Sequence, residues 1–321
     1  MTTHALAALT AGFDPVYAVL DPTPQYAWPL LAQRAGCDVW VKHENHTPTG
    51  AFKVRGGLTY LAELKRTQPD VRGVIAATRG NHGQSVAFAA ARHGLSSVVV
   101  VPHGNSVEKN AAMRAFGAEL VVHGRDFQEA LEYTVGLAEE RGLHVVPPFH
   151  PALLRGIASY AIEFFRAVDE LAAVYVPVGQ GSGICAVIMA RDALGLTTDV
   201  IGVVAEALPA YRLSFEAGAP VSTDPADTIA DGVACRVPIP EALDIITRGA
   251  ARVVSVSETA IRQAMRHYYT DTHNVIEGAG ATPLAALLAE RAMMAGKRVG
   301  VVASGGNVDR EVFLDVLRAD D

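Results

Sequence analysis

Short runs of valine, isoleucine and alanine recur along the chain, separated by longer stretches in which apolar residues return every three or four positions. The runs Val39–Lys42, Val74–Ala77, Val98–Val101, Leu120–Val122, Val145–Val146, Val174–Val178, Ile201–Val204, Val253–Val256 and Val299–Val302 predict strands. The stretches Asn81–His93, Ser106–Phe116, Phe127–Arg141, Ala152–Val168, Ile184–Ala193, Thr282–Ala295 and Asp309–Leu317 predict helices. The strand candidates are apolar at consecutive rather than alternate positions, which is how strands covered on both faces of a parallel sheet read. Strand and helix taking turns in this way predict an α/β fold. Leu208 to Ile239 breaks the rhythm, with Pro209, Pro220, Pro225 and Pro238 and no visible period. A long irregular excursion, functional or mobile, is expected there.

At 321 residues the chain has the length of about two domains, and with half of it apolar there is ample material for a large core. That composition excludes disorder. The 27 basic and 34 acidic residues leave a net charge of −7, which provides no electrostatic footprint for nucleic acid or an anionic membrane. The first basic residue is Arg34, so the positive start of a signal peptide is missing. The uncharged stretch Leu171–Ala190 is interrupted by Pro177, Gln180 and three glycines and does not read as a membrane span. Cys37, Cys185 and Cys235 are too few and too scattered for a disulfide framework or a four-ligand zinc site. A cytoplasmic, reducing location is expected.

Four turns place glycines or small polar residues after a strand and before a helix, where ligands bind in open parallel sheets. The first is Thr49 to Gly57, in which Lys53 stands beside Phe52 at a helix start. A cation is disfavoured at a helix amino terminus. The position suits a desolvated amine able to form a Schiff base, against the plain alternative of a solvated surface lysine. The second, Thr78-Arg79-Gly80-Asn81-His82-Gly83, offers backbone N–H groups to a carboxylate; capping by Thr78 and Asn81 would leave the two glycines unexplained. In the third, Gly179-Gln180-Gly181-Ser182-Gly183 can curl around a phosphate. Taken alone it also resembles part of a dinucleotide fingerprint, with Glu206 at the distance that would accept a ribose hydroxyl. The fourth, Ala303 to Asn307, either caps a helix or adds Ser304 to the same sheet edge. His43-Glu44-Asn45-His46 has the wrong spacing for a zinc protease, and neither a GxSxG elbow nor a Walker lysine occurs.

In this order the four turns resemble the fold-type II pyridoxal-phosphate enzymes, in particular the serine/threonine dehydratase and serine racemase group; the likeness runs from Pro22 to Asn307. Gly50-Ala51-Phe52-Lys53-Val54-Arg55-Gly56 is similar to that group's cofactor-lysine motif, and Gly80-Asn81-His82-Gly83 to its substrate-carboxylate loop. The resemblance implies a two-domain open parallel-sheet fold of the tryptophan synthase β-like kind. Residues 1–64 and 149–321 would form a large cofactor domain, and residues 65–148 a small mobile substrate domain. It also implies pyridoxal 5'-phosphate on Lys53, beside Phe52, with the phosphate on Gly179, Gln180, Gly181, Ser182 and Gly183. Asn81 would bond the phenolic oxygen and Ser304 the pyridine nitrogen. Thr78, Arg79, Gly80, Asn81 and His82 would hold the substrate, and Lys53 would act as the base at its α-carbon. A neutral hydroxyl at the pyridine nitrogen does not deepen the electron sink as a carboxylate would, which favours elimination over a long-lived carbanion. The implied reaction is dehydration and deamination of a β-hydroxy amino acid to a 2-oxo acid and ammonia, by a homodimer. L-threonine or L-serine is the default substrate.

The chain also departs from the group. Arg79 stands where the racemases carry a second, serine base, and an arginine is a poor proton shuttle. It would contact a second substrate carboxylate, as in 3-hydroxyaspartate, or pair with a nearby acid. Glu206 to Arg212 corresponds to the metal-binding segment of cation-activated relatives, with Arg212 at the aspartate position. A Glu206–Arg212 pair is expected in place of a cation, and no metal requirement. The stretches Phe149–Ser159 and Gly232–Arg236 differ from the common threonine dehydratases and are expected to border the pocket, leaving a phenylserine-like substrate open. Only 14 residues follow Asn307 (321 − 307), so no appended regulatory module is expected. Two readings from other classes remain at this point: a nicotinamide-dependent oxidoreductase using Gly179–Gly183, and a non-catalytic binding protein.

Overall fold

The computed structural model describes residues 2–318. Six strands form one sheet: β1 (Gln25–Ala27), β2 (Asp38–His43), β7 (Ala173–Pro177), β8 (Asp199–Ala205), β9 (Arg252–Val256) and β10 (Arg298–Ala303), in the order β1-β2-β10-β7-β8-β9. All pairs are parallel except β1 with β2. Four more strands, β3 (Gly73–Ala77), β4 (Ser96–Val101), β5 (Glu119–Val122) and β6 (His144–Val145), make an all-parallel second sheet in the order β5-β4-β3-β6. The large sheet therefore joins both ends of the chain, with Val39 of β2 opposite Val299 of β10. The small sheet comes from residues 73–145 alone.

The unbroken apolar runs have a direct physical reason. Along β7, Val174 and Val176 face one core cluster while Ala173 and Tyr175 face another. Along β4, Val98 and Val100 face one cluster and Val99 and Val101 a different one. Side chains alternate between faces, so a strand with helices on both sides needs an apolar residue at every position. Val74 and Ala76 of β3 share their cluster with helices Lys53–Thr67 and Pro151–Ala167, so the small sheet leans on the same core as the large one.

Where sequence and structure differ, local chemistry explains it. The expected helix Thr282–Ala295 begins earlier and divides into Gly278–Ala289 and Arg291–Met294. Pro283 lies inside the first of these. The Thr282 hydroxyl donates to the Ala279 carbonyl at 2.9 Å, the acceptor that the missing proline N–H cannot reach. The irregular zone holds a helix, Ala210–Ala217, directly after Pro209; from Gly218 to Ile239 it is irregular apart from one turn at Asp231–Val233.

A charged cluster lies wholly inside the core beneath Lys53. Arg55, on the same helix, donates from Nε to Glu44 at 2.7 Å, and from Nη1 to Glu163 at 2.6 Å and to Ser159 at 2.8 Å. Lys42 donates to Glu163 and to the Thr23 carbonyl, each at 2.7 Å. Burial opposes ionisation of Glu163, but Arg55 and Lys42 more than offset it and hold the carboxyl below its ordinary range. Two cations and two carboxylates cancel, and every guanidinium nitrogen has an acceptor. The cluster thereby fixes the helix that opens with Lys53.

Candidate active site

Because β2, β10 and β7 are adjacent and parallel, the turns that follow them meet at one sheet edge. The lysine turn and the serine turn are bonded directly. Phe52 N–H donates to the Ser304 carbonyl at 3.1 Å, and Gly306 N–H to the Gly50 carbonyl at 2.9 Å. Gly50 is required here: its φ is +67°, and a Cβ would lie 2.5 Å from Asn307 Oδ1. Lys53 Nζ reaches across the edge to Ser182 Oγ at 2.7 Å and lies 5.2 Å from the centre of the Phe52 ring. With no acid beside it, burial pushes its amine down to about 8.

Ser182 opens helix Ser182–Leu194, whose cap, Gly181, has φ +87° and no side-chain capping bond. Among the described residues, the N–H groups of 179–183 donate to no protein acceptor. Five unpartnered amides at a helix start form an anion cradle, and the lysine amine sits over it. Gly179 is fixed by its neighbour, since a Cβ would stand 2.2 Å from the Gly232 carbonyl oxygen. Gly179→Ala is therefore expected to push the loop off the backbone it rests on and weaken binding of a phosphate-bearing ligand by about tenfold or more, read by titration of the ligand's absorbance.

The second turn, after β3, closes the other wall. Thr78 Oγ1 accepts from Gly80 N–H at 2.8 Å and Gly83 N–H at 3.2 Å, so its hydroxyl shapes the turn. The amides of Arg79, Asn81 and His82 are left without protein acceptors among the described residues. His82 is held neutral: burial, and then Lys53 nearby, push it down to about 3, and its Nε2 has no partner. The Asn81 carboxamide donates to Glu277 at 2.6 Å and accepts from Asn307 at 2.9 Å, which leaves one of its N–H bonds free.

Residues of all four turns line one cleft, together with Pro177. Three charged lining residues escaped the sequence reading. Lys109, on helix Val107–Ala115, pairs with Asp231 at 2.7 Å and Glu277 at 3.0 Å, bridging from the small-sheet segment to the large-sheet segment. Glu277 carried one usable signal, an acid directly before the small-residue helix start Gly278-Ala279-Gly280. Asp231 carried none.

The expected Glu206–Arg212 pair is not present. Arg212 Nη1 bonds Glu216 at 2.8 Å, one turn along helix Ala210–Ala217, while Glu206 is exposed on the loop before it. Residues four apart share a helix face, and Glu206 lies before the helix. Of the two stretches expected to border the pocket, Gly232 and Ala234 line the cleft, whereas no residue of Phe149–Ser159 does and Pro148, just before it, takes that place; Cys235 is buried against Gln180 Nε2 at 3.5 Å. All three cysteines are free and buried. Among the described residues no cluster of histidine, cysteine and acids could hold a metal ion, and no helix is long and apolar enough to cross a membrane.

A family model described as "Pyridoxal-phosphate dependent enzyme" matches residues 17–305. Over 281 residues the chain is 37% identical to an L-threonine ammonia-lyase of Geobacter sulfurreducens, covering 87% of this chain and 69% of that one. It is 31% identical to an L-threo-3-hydroxyaspartate ammonia-lyase of Pseudomonas sp, covering 92% and 93%. Other relatives are longer: the chain spans 58% of the biosynthetic threonine dehydratase of Salmonella typhimurium. Among solved structures, threonine deaminase isoform 2 of Solanum lycopersicum superposes with a TM-score of 0.90 at 30% identity, covering 98% of this chain and 92% of that one.

Proposed function

Because the chain belongs to the pyridoxal-phosphate-dependent enzymes of fold type II, we infer that it is a hydroxy-amino-acid ammonia-lyase, converting a β-hydroxy amino acid to a 2-oxo acid and ammonia. The observation that carries this reading is the desolvated Lys53 amine poised over five unpartnered amides at a helix start. That pairing fits an aldehyde and a phosphate on one small molecule. A nicotinamide cofactor carries no aldehyde for such an amine to condense with.

Pyridoxal phosphate, when bound, supplies an aldehyde that condenses with amines and an electron sink that acidifies the bond between a substrate's α-carbon and its hydrogen. Lys53 would hold it beside Phe52, the amides of Gly179, Gln180, Gly181, Ser182 and Gly183 would take the phosphate, and the free N–H of Asn81 and the Ser304 hydroxyl would meet the ring. Lys53, once released, is the group placed to take the α-proton. The unpartnered amides of Arg79, Asn81 and His82 would orient the α-carboxylate, with Thr78 and Gly80 fixing their turn. Neutral His82 adds no competing charge. L-threonine and L-serine are the default substrates, supported by the names of the relatives. Residues 65–148 would be the substrate-side domain of a cytoplasmic homodimer. The free buried cysteines agree with a reducing compartment; the dimer follows from the resemblance and is read by sedimentation.

A yellow purified protein whose absorbance shifts with borohydride, and which releases ammonia and a 2-oxo acid from serine or threonine, is the expected result. A colourless protein that binds NADH would overturn the reading. Loading of the apoprotein adds a pH test. Only the neutral amine attacks an aldehyde, and an amine lowered to about 8 is neutral above that pH. Loading should speed up about tenfold per pH unit up to roughly pH 8 and then level off. An ordinary lysine would keep accelerating well beyond it.

A further inference from the structure

We propose that Arg79 forms a second carboxylate subsite, and that the preferred substrate is a β-hydroxy amino acid bearing a carboxylate on its β-carbon, namely 3-hydroxyaspartate. The proposal rests on the ammonia-lyase reading above and deepens it.

Charge accounting around the cleft singles out this residue. Lys109 is matched by Asp231 and Glu277. Arg236, on the wall of an adjoining cavity, is matched by Asp126 at 2.6 Å. Arg79 lines both cavities, as do Phe127, Gln180 and Ala234. Its Nε is buried without a hydrogen-bond partner, and among the described residues no carboxylate pairs with its guanidinium. Of the two roles open to it from sequence, pairing with a nearby acid of the chain is therefore not the one the fold provides.

The turn itself indicates which anion is wanted. Its three unpartnered amides already provide for an α-carboxylate. Arg79 belongs to the same turn and lines the cleft beside those amides. The methyl of threonine or the hydrogen of serine offers that cation no partner, whereas a β-carboxylate satisfies it in the bidentate geometry that suits guanidinium. The chemistry balances without a co-reactant. The α-proton leaves to the base, the bond from the β-carbon to the hydroxyl breaks, and the hydroxyl departs as water. The released imine takes up one water and yields ammonia and oxaloacetate.

The test compares kcat/KM of the holoenzyme for 3-hydroxyaspartate, serine and threonine, in the wild type, Arg79→Gln and Arg79→Lys. Expected are a wild-type preference of at least about tenfold for 3-hydroxyaspartate over serine, a fall of about 100-fold in that ratio in Arg79→Gln, and an intermediate ratio in Arg79→Lys. Binding gives a second readout. Malonate, but not acetate, should raise the thermal midpoint of the wild-type holoenzyme, and Arg79→Gln should remove that difference. If serine or threonine is converted with no preference for the dicarboxylate, or if Arg79→Gln lowers all three substrates in the same proportion, the subsite is refuted and the ammonia-lyase reading stands. If no β-hydroxy amino acid releases ammonia and hydride traps nothing on Lys53, both fall together.

Discussion

Lys53→Ala is expected to lower turnover of every β-hydroxy amino acid by at least about 10⁴-fold, and to abolish the pyridoxyl mass that borohydride otherwise fixes on the peptide containing residue 53. The size follows from two roles resting on one amine. Lys53 would anchor the aldehyde and, among the described residues, is the lysine on the cleft wall without a carboxylate partner, since Lys109 is occupied by two. The substitution removes the hydrogen bond to Ser182 but leaves Arg55 and its partners untouched. The melting transition should therefore survive. A variant that keeps its yellow colour and its trapped adduct would place the covalent link on another residue and overturn the assignment of the cleft.

Arg55→Leu is expected to act on the opposite axis, destabilising the fold by about 3–5 kcal/mol as read from the denaturant midpoint. Removing the guanidinium leaves Glu44 and Glu163 inside the core with only Lys42 to balance them. Such a loss is a large share of the 5–15 kcal/mol by which proteins are typically stable. Arg55→Lys should lose less, because the charge remains although the fork of donors does not. If Arg55→Leu unfolds at the wild-type midpoint, the cluster is not holding the lysine helix.

Much of the fold was legible because two-face burial leaves an unmistakable mark: all nine expected strands are present within one or two residues of their expected ends. The tenth, Gln25–Ala27, is short, antiparallel and half exposed, so no apolar run announced it. The helix expected from Thr282 begins earlier, at Gly278, which sets Pro283 deeper than the first turn where proline is usual; only the Thr282 hydroxyl shows how it is accommodated there. The four turns could be read from sequence because glycine and small polar residues at strand ends have few other uses. Lys109 and Asp231 could not. They lie 122 positions apart, as ordinary as any surface lysine and aspartate until the fold brings them together. Arg212 failed for the complementary reason: a partner one helical turn away was a closer match than the one inferred by analogy.

The bridge from Lys109 to Asp231 and Glu277 has a bearing on how fast the protein can work. Parting the two walls would bring Lys109, Asp231 and Glu277 out to the medium, and dissolved ions favour such a separated arrangement. Were that parting the slow step, the surrounding electrolyte would set the pace of release, and turnover would rise with salt concentration.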